Sequence, residues 1–477
     1  MKRLILIALL AAVGTTQAQY VVDKGNEDRH IDPEDFAQAS YAGMYQGSTL
    51  WVCPARNGWI VEGYDHHMQQ TLSASLRYPG TEILAATNHE GAVTMLMADR
   101  SSSKRTDVLL TRCTPLGEWT IDTVATYAHA KKDRCLLWAS TSPSGNLMGL
   151  CAIVEYTEKH QYSAFMTLYT AAGERLWQRE FALGSMDQLY VTDDGRLVSL
   201  GYEQDGTKLT LVINYADREH AETLEATVNC ETVRDLQIAN VIDSRMIALG
   251  TICGTGFRGA EKYYGGVISL AFDLDSAVIN NFNIQPFRNE DVDIFYNKPT
   301  KKMQRELVAE HITTIGTVRL PYGGAIAIGR NYEKVDLADN GTEMHSFERI
   351  GIHIVAADRD GNIAWSRNLR RNDKQKKSAE LLGLGLAAMG DTLCVIKSEN
   401  RKYPAIYDIA KDAKQLKVGD KSNIVLYTIA PDGTVEKNIL EAKSKYTFLR
   451  LVPTTDRPLH IITARGNHLR EVTLNRQ

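Results

Sequence analysis

The stretch RIGIHIVAADRDGNIAWSRNLR, residues 349–370, decides how the rest of the chain is interpreted. Apolar residues stand at Ile350, Ile352 and Ile354, the alternation expected of a strand with one buried face. Residues 358–362 then supply Asp and Gly for a tight turn, and a second short run carries Trp365. This pattern predicts a β-hairpin.

Similar groups of four short strands recur through most of the chain. Six complete groups are predicted, with turns rich in Gly, Pro, Asp or Asn between the strands. They span Ile83–Val124, Cys135–Phe181, Gln188–Val228, Gln237–Asn283, Thr313–Asn368 and Leu382–Leu440. Because the units of a repeat protein pack only against their neighbours, a chain of this length need not divide into independent domains.

Incomplete groups of three strands remain at both ends of the repeats. The N-terminal group lies within Thr49–Leu76 and the C-terminal group within Phe448–Leu474. In a ring, strands from both termini can share one blade, which removes the free edges of an open sheet. The predicted fold class is all-β: a single β-propeller over residues 49–477, with about seven four-stranded blades and with six or eight as alternatives.

Two helices are predicted outside the repeats. In a polar lead, residues 19–48, Asp32 is a good N-cap and Pro33 suits the first helical position, so a short helix from Pro33 to about Tyr45 is expected. Residues 287–310 interrupt the strand pattern. Within them, TKKMQRELVAEH, which starts at Thr300, has apolar residues at helical spacing and predicts an inserted helix.

Residues 1–18 have the three parts of a secretory signal peptide. Two basic residues precede an apolar run over residues 4–13, and Ala18 stands before an expected cut ahead of Gln19. The run is too short to span a bilayer, and no later apolar segment reaches the ~20 residues that a spanning helix needs. We therefore expect an exported chain, periplasmic or extracellular, with no transmembrane segment after the cut.

The charge balance is mildly acidic. The formal net charge of −4 becomes −6 when the two basic residues of the expected signal peptide are removed. This balance argues against nucleic acid as the main partner.

Seven cysteines are distributed through the chain. An oxidising compartment would permit one or more disulfides, and the odd count leaves at least one thiol unpaired or intermolecular. Four of them lie within apolar runs, where small buried residues are expected. The seven are Cys53, Cys113, Cys135, Cys151, Cys230, Cys253 and Cys394.

Two repeats resemble those of the PQQ-type propellers. LYTAAGERLWQREF (Leu168–Phe181) and IVAADRDGNIAWSRNL (Ile354–Leu369) each combine a strand, a turn similar to A-x-D-x-x-G and a Trp. Weaker versions are CTPLGEWTIDTV (Cys113–Val124) and YTIAPDGTVEKNIL (Tyr427–Leu440). The resemblance implies that Trp177 and Trp365 dock between blades. It specifies a blade and no chemistry, since the same repeats serve quinoprotein dehydrogenases and non-enzymatic outer-membrane assembly scaffolds.

A PQQ-dependent oxidoreductase is the weakest functional interpretation. The resemblance to quinoproteins implies calcium ligands and, in many family members, an adjacent Cys-Cys pair beneath the cofactor. This chain has no adjacent cysteines and no evident Glu, Asn and Asp set for calcium. No cofactor is predicted.

Two glycine-containing patterns imitate binding motifs. GTGFRG (Gly254–Gly259) matches GxGxxG with Asp273 beyond it, but a dinucleotide site needs a helix after the glycines, and a strand is predicted there. The favoured interpretation is an interstrand loop. Asp358, Asp360 and Asn362 imitate the start of a calcium loop, yet the remaining ligands of that loop are missing, so a hairpin turn is favoured.

Other polar and aromatic groups leave alternatives open. Asp65, His66 and His67 could bind a metal, but neighbouring residues of a strand point to opposite faces, so a solvated loop is favoured. Tyrosines, among them Tyr263, Tyr264 and Tyr322, could stack on sugars or anchor a protein, or they could edge the sheets with their hydroxyls in water. No HExxH, GxSxG or P-loop occurs, so the catalytic residues stay unknown and no metal or cofactor residues are assigned.

The sequence favours an exported, non-catalytic propeller that binds a protein or a glycan and acts as a scaffold of the cell envelope or exterior. The alternative is a propeller-type hydrolase or lyase acting on extracellular carbohydrate. Three or more carboxylates gathered with His or Arg at the central funnel would favour the enzyme. Apolar residues there would favour the binding protein.

Overall fold

A computed structural model describes residues 20–25, 33–157, 161–181, 186–230, 232–258, 261–295, 312–337, 343–376, 382–401, 416–417, 421–452 and 459–476. These residues form eight sheets, each built from four antiparallel strands, and one sheet gains a fifth, parallel strand. Each sheet is a blade of a β-propeller. The blades are numbered I to VIII below.

Blades I to IV are regular four-stranded units. Blade I consists of β2 (Ser40–Tyr45), β3 (Ser48–Ala55), β4 (Gly58–Tyr64) and β5 (Gln70–Arg77). Blade II consists of β6 (Thr81–His89), β7 (Ala92–Asp99), β8 (Arg105–Cys113) and β9 (Trp119–Ala128). Blade III consists of β10 (Arg134–Thr141), β11 (Leu147–Tyr156), β12 (Gln161–Thr170) and β13 (Arg175–Phe181). Blade IV consists of β14 (Gln188–Val191), β15 (Leu197–Asp205), β16 (Lys208–Ala216) and β17 (Ala221–Asn229).

Blades V to VIII include the longest strands and the seam of the ring. Blade V consists of β18 (Val233–Ile242), β19 (Arg245–Arg258), β20 (Glu261–Asp273) and β21 (Val278–Pro286). Blade VI consists of β22 (Ile312–Leu320), β23 (Gly323–Leu337), β24 (Glu343–Asp358), β25 (Ile363–Gln375) and β28 (Leu416–Lys417). Blade VII consists of β26 (Gly385–Met389), β27 (Thr392–Asn400), β29 (Ser422–Ile429) and β30 (Val435–Ser444). Blade VIII consists of β31 (Thr447–Val452), β32 (Leu459–Arg465), β33 (His468–Arg476) and β1 (Tyr20–Lys24).

Clusters of buried apolar side chains join every blade to the next one. Between blades VI and VII, for example, Trp365 packs in one cluster with Tyr427. Between blades VIII and I, Leu449 and Trp51 share a cluster, which closes the ring. Because successive side chains of a strand point to opposite faces, each blade supplies apolar residues to both of its neighbours.

The ring has eight blades, one more than the seven expected and equal to the upper alternative that the sequence left open. The six complete groups expected from the sequence correspond to blades II to VII, and the extra blade arises at the N-terminus. Residues 40–45, which the sequence assigned to a helix, form β2 and complete blade I. Gly43 shows why: its φ is +135°, and a Cβ there would lie 1.8 Å from Nδ2 of Asn88 in blade II. Only glycine tolerates this approach.

The ring also closes by a different pairing from the one expected. The prediction made the strands of residues 49–76 share a blade with those of residues 448–474. Instead, blade VIII takes its fourth strand from β1, which pairs with β33 from Tyr20 opposite Arg476 to Lys24 opposite Val472. Five residues inside a polar lead give too short an alternation to be recognised as a strand, and tertiary pairing decides their conformation.

Two short helices occur in the described residues. Helix α1 (Pro33–Ala37) begins where the sequence predicted but ends well before Tyr45. Helix α2 (Asn289–Ile294) lies in the predicted insertion, whereas the helix expected from Thr300 falls outside the described residues. At the start of α2, the Asp291 carboxylate accepts a hydrogen bond from the backbone N–H of Arg288 at 2.9 Å. In the part of the chain that the structure describes, no helix is long and apolar enough to cross a membrane.

Turns between the third and fourth strands dock against the preceding blade. The carbonyl of Gly361 in blade VI accepts hydrogen bonds from Ser269 Oγ at 2.8 Å and Asn283 Nδ2 at 3.0 Å, both in blade V. In blade VII, a Cβ at Gly433 would lie 2.9 Å from the Cβ of Trp365 in blade VI. Trp365 is buried between blades VI and VII, and Trp177 is likewise buried between blades III and IV.

Candidate functional site

The connections on one side of the ring are much longer in blades V to VII than elsewhere. Because the strands of a blade are antiparallel, the connections between second and third strands and those between blades emerge on the same side, here called the upper face. In blades II to IV these connections are short, for example 100–104, 129–133 and 206–207. In blades V to VII they include 287–311, 376–384 and 401–421. Turns on the opposite side stay short even in these blades, as at 321–322 and 390–391.

Among the described strands, the β23–β24 hairpin of blade VI continues furthest past the first strand of its own blade. The first residue of β22, Ile312, pairs with Arg330, and β23 continues from there to Leu337. At ~3.3 Å per residue, the β23–β24 hairpin therefore extends roughly 20 Å beyond the start of β22. The neighbouring strand β25 follows the hairpin as far as Gln375, which pairs with Phe347. Residues 331–337, 343–349, 372–375 and 416–417 are called the blade VI extension below.

A strand from the neighbouring blade ties the extension down. Along the chain, β28 lies between β27 and β29 of blade VII. In space, it pairs in parallel with β25 of blade VI, with Asp373 opposite Leu416 and Lys374 opposite Lys417. Leu416 is buried. The connection between the second and third strands of blade VII thus crosses to blade VI and joins the two blades.

A buried arginine fixes the connection between the same two blades. Arg371 of β25 donates a hydrogen bond from Nε to Asp373 Oδ2 at 2.6 Å, and both side chains are buried. Its terminal nitrogen donates to the carbonyls of Leu382 at 2.7 Å and Gly383 at 3.2 Å. Those carbonyls belong to the segment that enters blade VII, so the guanidinium fixes that segment to the base of the extension.

A buried carboxylate between two lysines lies next to this arginine. Glu399 and Lys397 are two residues apart on β27, so both face blade VI, and both are almost fully buried. Lys397 Nζ donates to Glu399 Oε1 at 2.7 Å, and Lys437 Nζ donates to Oε2 at 2.5 Å. The hydroxyl of Tyr427 donates to the same carboxylate. The Glu399 carboxylate therefore accepts hydrogen bonds from two ammonium groups and one phenol.

The charged groups of Glu399, Lys397 and Lys437 stabilise each other's ionised forms. Burial acts to raise the pKa of Glu399, but Lys397 and Lys437 outweigh it and hold the pKa of the carboxyl below its usual value. Burial lowers the pKa of Lys397, and the Glu399 carboxylate opposes that shift. A buried ion pair of this kind depends on both partners, because removing one leaves the other charge without compensation.

A second buried polar group anchors α2 under the upper face. His353 of β24 lies with Nδ1 2.6 Å from Asn368 Oδ1, and Asn368 Nδ2 donates to Asp291 of α2 at 2.7 Å. Arg288 donates to the same aspartate at 3.2 Å. Burial lowers the pKa of His353, against the effect of Asp291. Burial also acts to raise the pKa of Asp291, but His353, Arg288 and Asn368 bring it below its usual value.

The tip of the extension presents apolar side chains to solvent. Val335 is 49% exposed and Met344 is 53% exposed, on the two strands of the hairpin. His345 lies directly opposite Val335 in the hairpin, with Nδ1 2.7 Å from Glu333 Oε1, and the ring of His345 stacks on that of Phe347 with 6.4 Å between the ring centroids. The tip therefore combines two exposed apolar residues with a formed polar and aromatic pair, a mixture typical of protein-binding surfaces.

The carboxylates of the innermost strands are already engaged. In a propeller the first strand of each blade lies nearest the axis. Glu82 of β6 lies 3.6 Å from Arg100 Nε. Asp235 of β18 accepts hydrogen bonds from the backbone N–H of Thr251 and from that of Thr314, both at 3.1 Å. Half-buried apolar residues predominate along β6, β10 and β26, among them Leu84, Ala86, Leu137, Ala139, Leu386 and Ala387.

The two glycine patterns occupy β-hairpins. The GxGxxG match begins within β19, and after residues 259–260, which are not described, the chain continues as strand β20. A dinucleotide would need a helix there. The Asp358 carboxylate accepts hydrogen bonds from the backbone N–H groups of Asp360 and Asn362, each at 2.9 Å, and Gly361 has φ +76°. This is the hairpin turn that the sequence favoured.

The structure separates the three residues of the Asp65 cluster. Asp65 accepts hydrogen bonds from the backbone N–H groups of His67 and Gln69, each at 2.8 Å, which makes a local turn. His66 instead reaches the seam of the ring, where its Nε2 lies 3.3 Å from Asp23 Oδ2. In the described ranges, no group of three or more His, Cys, Asp or Glu side chains is arranged to hold a metal ion.

The described tyrosines and cysteines singled out in the sequence are half-buried or buried. Tyr322 is half-buried, and the side chains of Tyr263 and Tyr264 are outside those described. Six of the cysteines are free and buried: Cys53, Cys113, Cys135, Cys151, Cys230 and Cys394. Burial raises the pKa of Cys113 to about 11, as expected for a thiol that acts as a small apolar residue.

The Lys397–Glu399 group was not predicted from the sequence. Its signal was present in TLCVIKSEN (Thr392–Asn400), where two charged residues continue the buried face of an apolar strand at period two. The sequence around Arg371 and Asp373 indicates burial less clearly, because the residues that cover them come from another blade.

Comparisons with known proteins give distant similarity in fold. No protein-family model matches the chain. No curated protein matches it either. An uncharacterized protein from Listeria monocytogenes aligns with 78% of this chain and 86% of its own, at 10% identity and a TM-score of 0.33. A structure from a study of two prolyl endopeptidases aligns with 90% of this chain and 55% of its own, at 9% identity and a TM-score of 0.37. The β-propeller domain of the Trilobed protease from Pyrococcus furiosus, described as having an open velcro topology, aligns with 71% of this chain and 93% of its own, at 10% identity and a TM-score of 0.25. Similarities this distant carry no functional argument.

Proposed function

We propose that this chain is an exported, non-catalytic β-propeller that binds a protein partner through the blade VI extension and the neighbouring upper-face connections of blades V and VII. The observation that carries the proposal is the one-sided lengthening of three consecutive blades. Ring closure needs only the short connections found in blades II to IV. Long connections supported by a rigid scaffold are where binding sites concentrate.

The anchoring of the extension supports a binding role. The parallel pairing of β28, the Arg371–Asp373 pair and the Glu399 group all fix its base to blade VII. A surface held in one conformation before binding loses little conformational entropy when a partner docks. Val335 and Met344 would supply apolar contact area at the tip, one on each face of the hairpin, because Met344 is the neighbour of His345, which lies opposite Val335.

Export is supported by the position of the first strand. The expected signal-peptide cut lies ahead of Gln19, and β1 begins at Tyr20. Cleavage at that place would leave the whole of β1 in the mature chain, where the ring uses it. N-terminal sequencing or intact mass of the chain recovered from outside the cytoplasm tests this part: a chain that starts at Gln19 supports it, and a chain that keeps residues 1–18 contradicts it.

Charged substitutions at the tip test the binding surface. Val335→Asp with Met344→Asp places two carboxylates on the hairpin at positions that solvent already reaches. The matched control is Val278→Asp with Ile439→Asp, since Val278 is 50% exposed and Ile439 is 56% exposed on the outer strands of blades V and VII. Each variant, with a cross-linkable tag, is incubated with cell-envelope extract of the source organism, and captured proteins are quantified by mass spectrometry.

The proposal expects a defined set of proteins to be retained by the parent and by the control but to fall at least tenfold with the tip variant, at equal thermal stability. Equal loss in both variants, or no loss in either, would contradict it. Release of reducing ends from extracellular polysaccharides by the parent chain would favour the hydrolase or lyase instead.

A further inference from the structure

The closing strand β1 differs from the fourth strands of the other seven blades. It has five residues, whereas β13, the shortest of the other fourth strands, has seven, and β25 has thirteen. In the other blades a short connection joins the fourth strand to the third strand, with which it pairs. By contrast, β1 pairs with β33, which comes from the opposite end of the chain. No covalent turn holds β1 against its partner.

Among the described side chains, β1 contributes little to the apolar core of the seam. The cluster between blades VII and VIII is built from buried residues of β31, β32 and β33, such as Phe448, Ile461 and Leu474, against blade VII. Val22 is the described residue of β1 that packs against it, and it is only partly buried. The cluster between blades VIII and I contains no described residue of β1. The described contacts of β31, β32 and β33 with blades VII and I do not involve β1 and would remain if β1 left.

The polar contacts of β1 are exposed to solvent. Lys24 Nζ lies 3.4 Å from Glu441 Oε2 of blade VII, and the lysine is 43% exposed. Asp23, which is 66% exposed, pairs with His66 of blade I. Exposed ion pairs contribute little to stability. The backbone hydrogen bonds of five residues are offset by the entropy lost in ordering them, so β1 opens at low cost.

Departure of β1 would uncover the edge of β33. An unpaired strand edge is a template for another extended segment. The edge of β33 favours the sequence of β1 in particular, because Glu441 lies opposite the position of Lys24 and His66 opposite that of Asp23. Both of these residues belong to the acceptor's own blades. A second copy of the chain therefore carries the segment that fits.

We propose that two copies of the chain exchange their β1 strands, each inserting Tyr20–Lys24 along β33 of the other in the register seen within one chain. Reciprocal exchange gives a closed two-fold dimer without any new contact surface. The proposal does not rest on the proposed binding function, because it uses the seam and leaves the blade VI extension free.

Disulfide trapping between two different variants tests the exchange. One full-length variant carries Asp23→Cys and the other carries Thr473→Cys, the residue opposite Asp23 in the β1–β33 register. The six described native cysteines are buried, which keeps them from competing. The control replaces Thr473→Cys by Glu222→Cys, an exposed position on the outermost strand of blade IV. The variants are mixed, incubated at high concentration, oxidised mildly and separated on non-reducing gels.

The proposal expects the Asp23–Thr473 mixture to give at least fivefold more disulfide-linked dimer than the Asp23–Glu222 mixture. Deletion of residues 20–24 from the Thr473→Cys chain, which leaves the edge of its β33 without a partner strand, should raise the yield of the Asp23–Thr473 dimer. Equal yields in the two mixtures would overturn the proposal, because they would show that β1 of one chain does not reach β33 of another. Circular dichroism of each variant, matched to the parent, shows that the comparison is made between folded chains.

Discussion

Removing the charge of Glu399 should destabilise the ring more than any change to its exposed carboxylates. Gln has nearly the same size and shape as Glu, so Glu399→Gln removes the charge and leaves the packing in place. Two ammonium groups then lose their shared counter-ion, and one of them, Lys397, is almost fully buried. Breaking a buried ion pair by removal of one partner costs about 3–5 kcal/mol. Lys437 is partly exposed and can turn toward water, so Lys397 carries most of that cost.

The measurement is the free energy of unfolding from urea titrations of the parent, Glu399→Gln and Glu222→Gln. Glu222 is exposed on β17, so its substitution should change stability by less than about 0.5 kcal/mol. A loss below about 1 kcal/mol in Glu399→Gln would refute the reasoning, because it would show that Lys397 finds compensation elsewhere.

A second substitution separates the charge effect from any packing effect. Adding Lys397→Met to Glu399→Gln removes the uncompensated buried charge while keeping most of the side-chain volume. The double variant should recover about half or more of the lost stability, since replacing a buried pair by apolar residues is often close to neutral. A double variant that is less stable than Glu399→Gln would show that packing, and not charge, accounts for the loss.

Two further predictions use other features of the ring. Gly433→Ala should destabilise the chain by about 1–3 kcal/mol more than Gly47→Ala, because both glycines have φ +80° but only Gly433 lies against Trp365 and Arg367. Thermal melts of the two variants measure the difference. Equal losses of stability would mean that the approach between the two blades is not tight. The pKa of His353 is lowered from 6.5 by burial, so the unfolded chain binds a proton that the folded chain resists, and stability should fall as pH drops below about 6.5. In His353→Gln, urea titrations across this range should show a weaker pH dependence, and an unchanged slope would contradict that account.

The regular part of the fold could be predicted from the sequence because the alternation of apolar residues within each strand shows which face is buried. The alternation at Ile350, Ile352 and Ile354 corresponds to β24, and the Asp-Gly turn after it corresponds to the turn before β25. Blades II to VII follow from repetitions of this signal. A strand with this pattern can be predicted without knowing which blade packs against it.

The ends of the ring could not be predicted in the same way, because their structure is decided by distant partners. The helix signal at Asp32 and Pro33 was real, but it applied to five residues and was extended over β2. The residue that marks the strand is Gly43, which lies within β2 and is closely approached by Asn88 in another blade. The strand β1 has no partner nearer in sequence than Val472. The ring therefore has one blade more than the seven expected, while the strands predicted for blades II to VII are present in the structure.

The charged groups under the upper face could be predicted from the sequence only in part. Period-two spacing places Lys397 and Glu399 on one face of β27, but only the ring brings Arg371 and Asp373 of blade VI beside them. Charges buried at a blade interface cost desolvation energy, and an apolar interface would stabilise the ring equally well. They lie beneath long upper-face connections, where Arg371 joins the base of the blade VI extension to the segment that enters blade VII, and we propose that they also fix the direction in which the extension leaves the ring. If that is their role, Glu399→Gln should weaken capture of a partner by the extension even under conditions in which the ring remains folded, whereas Gly433→Ala, which perturbs the opposite side of the same interface, should not.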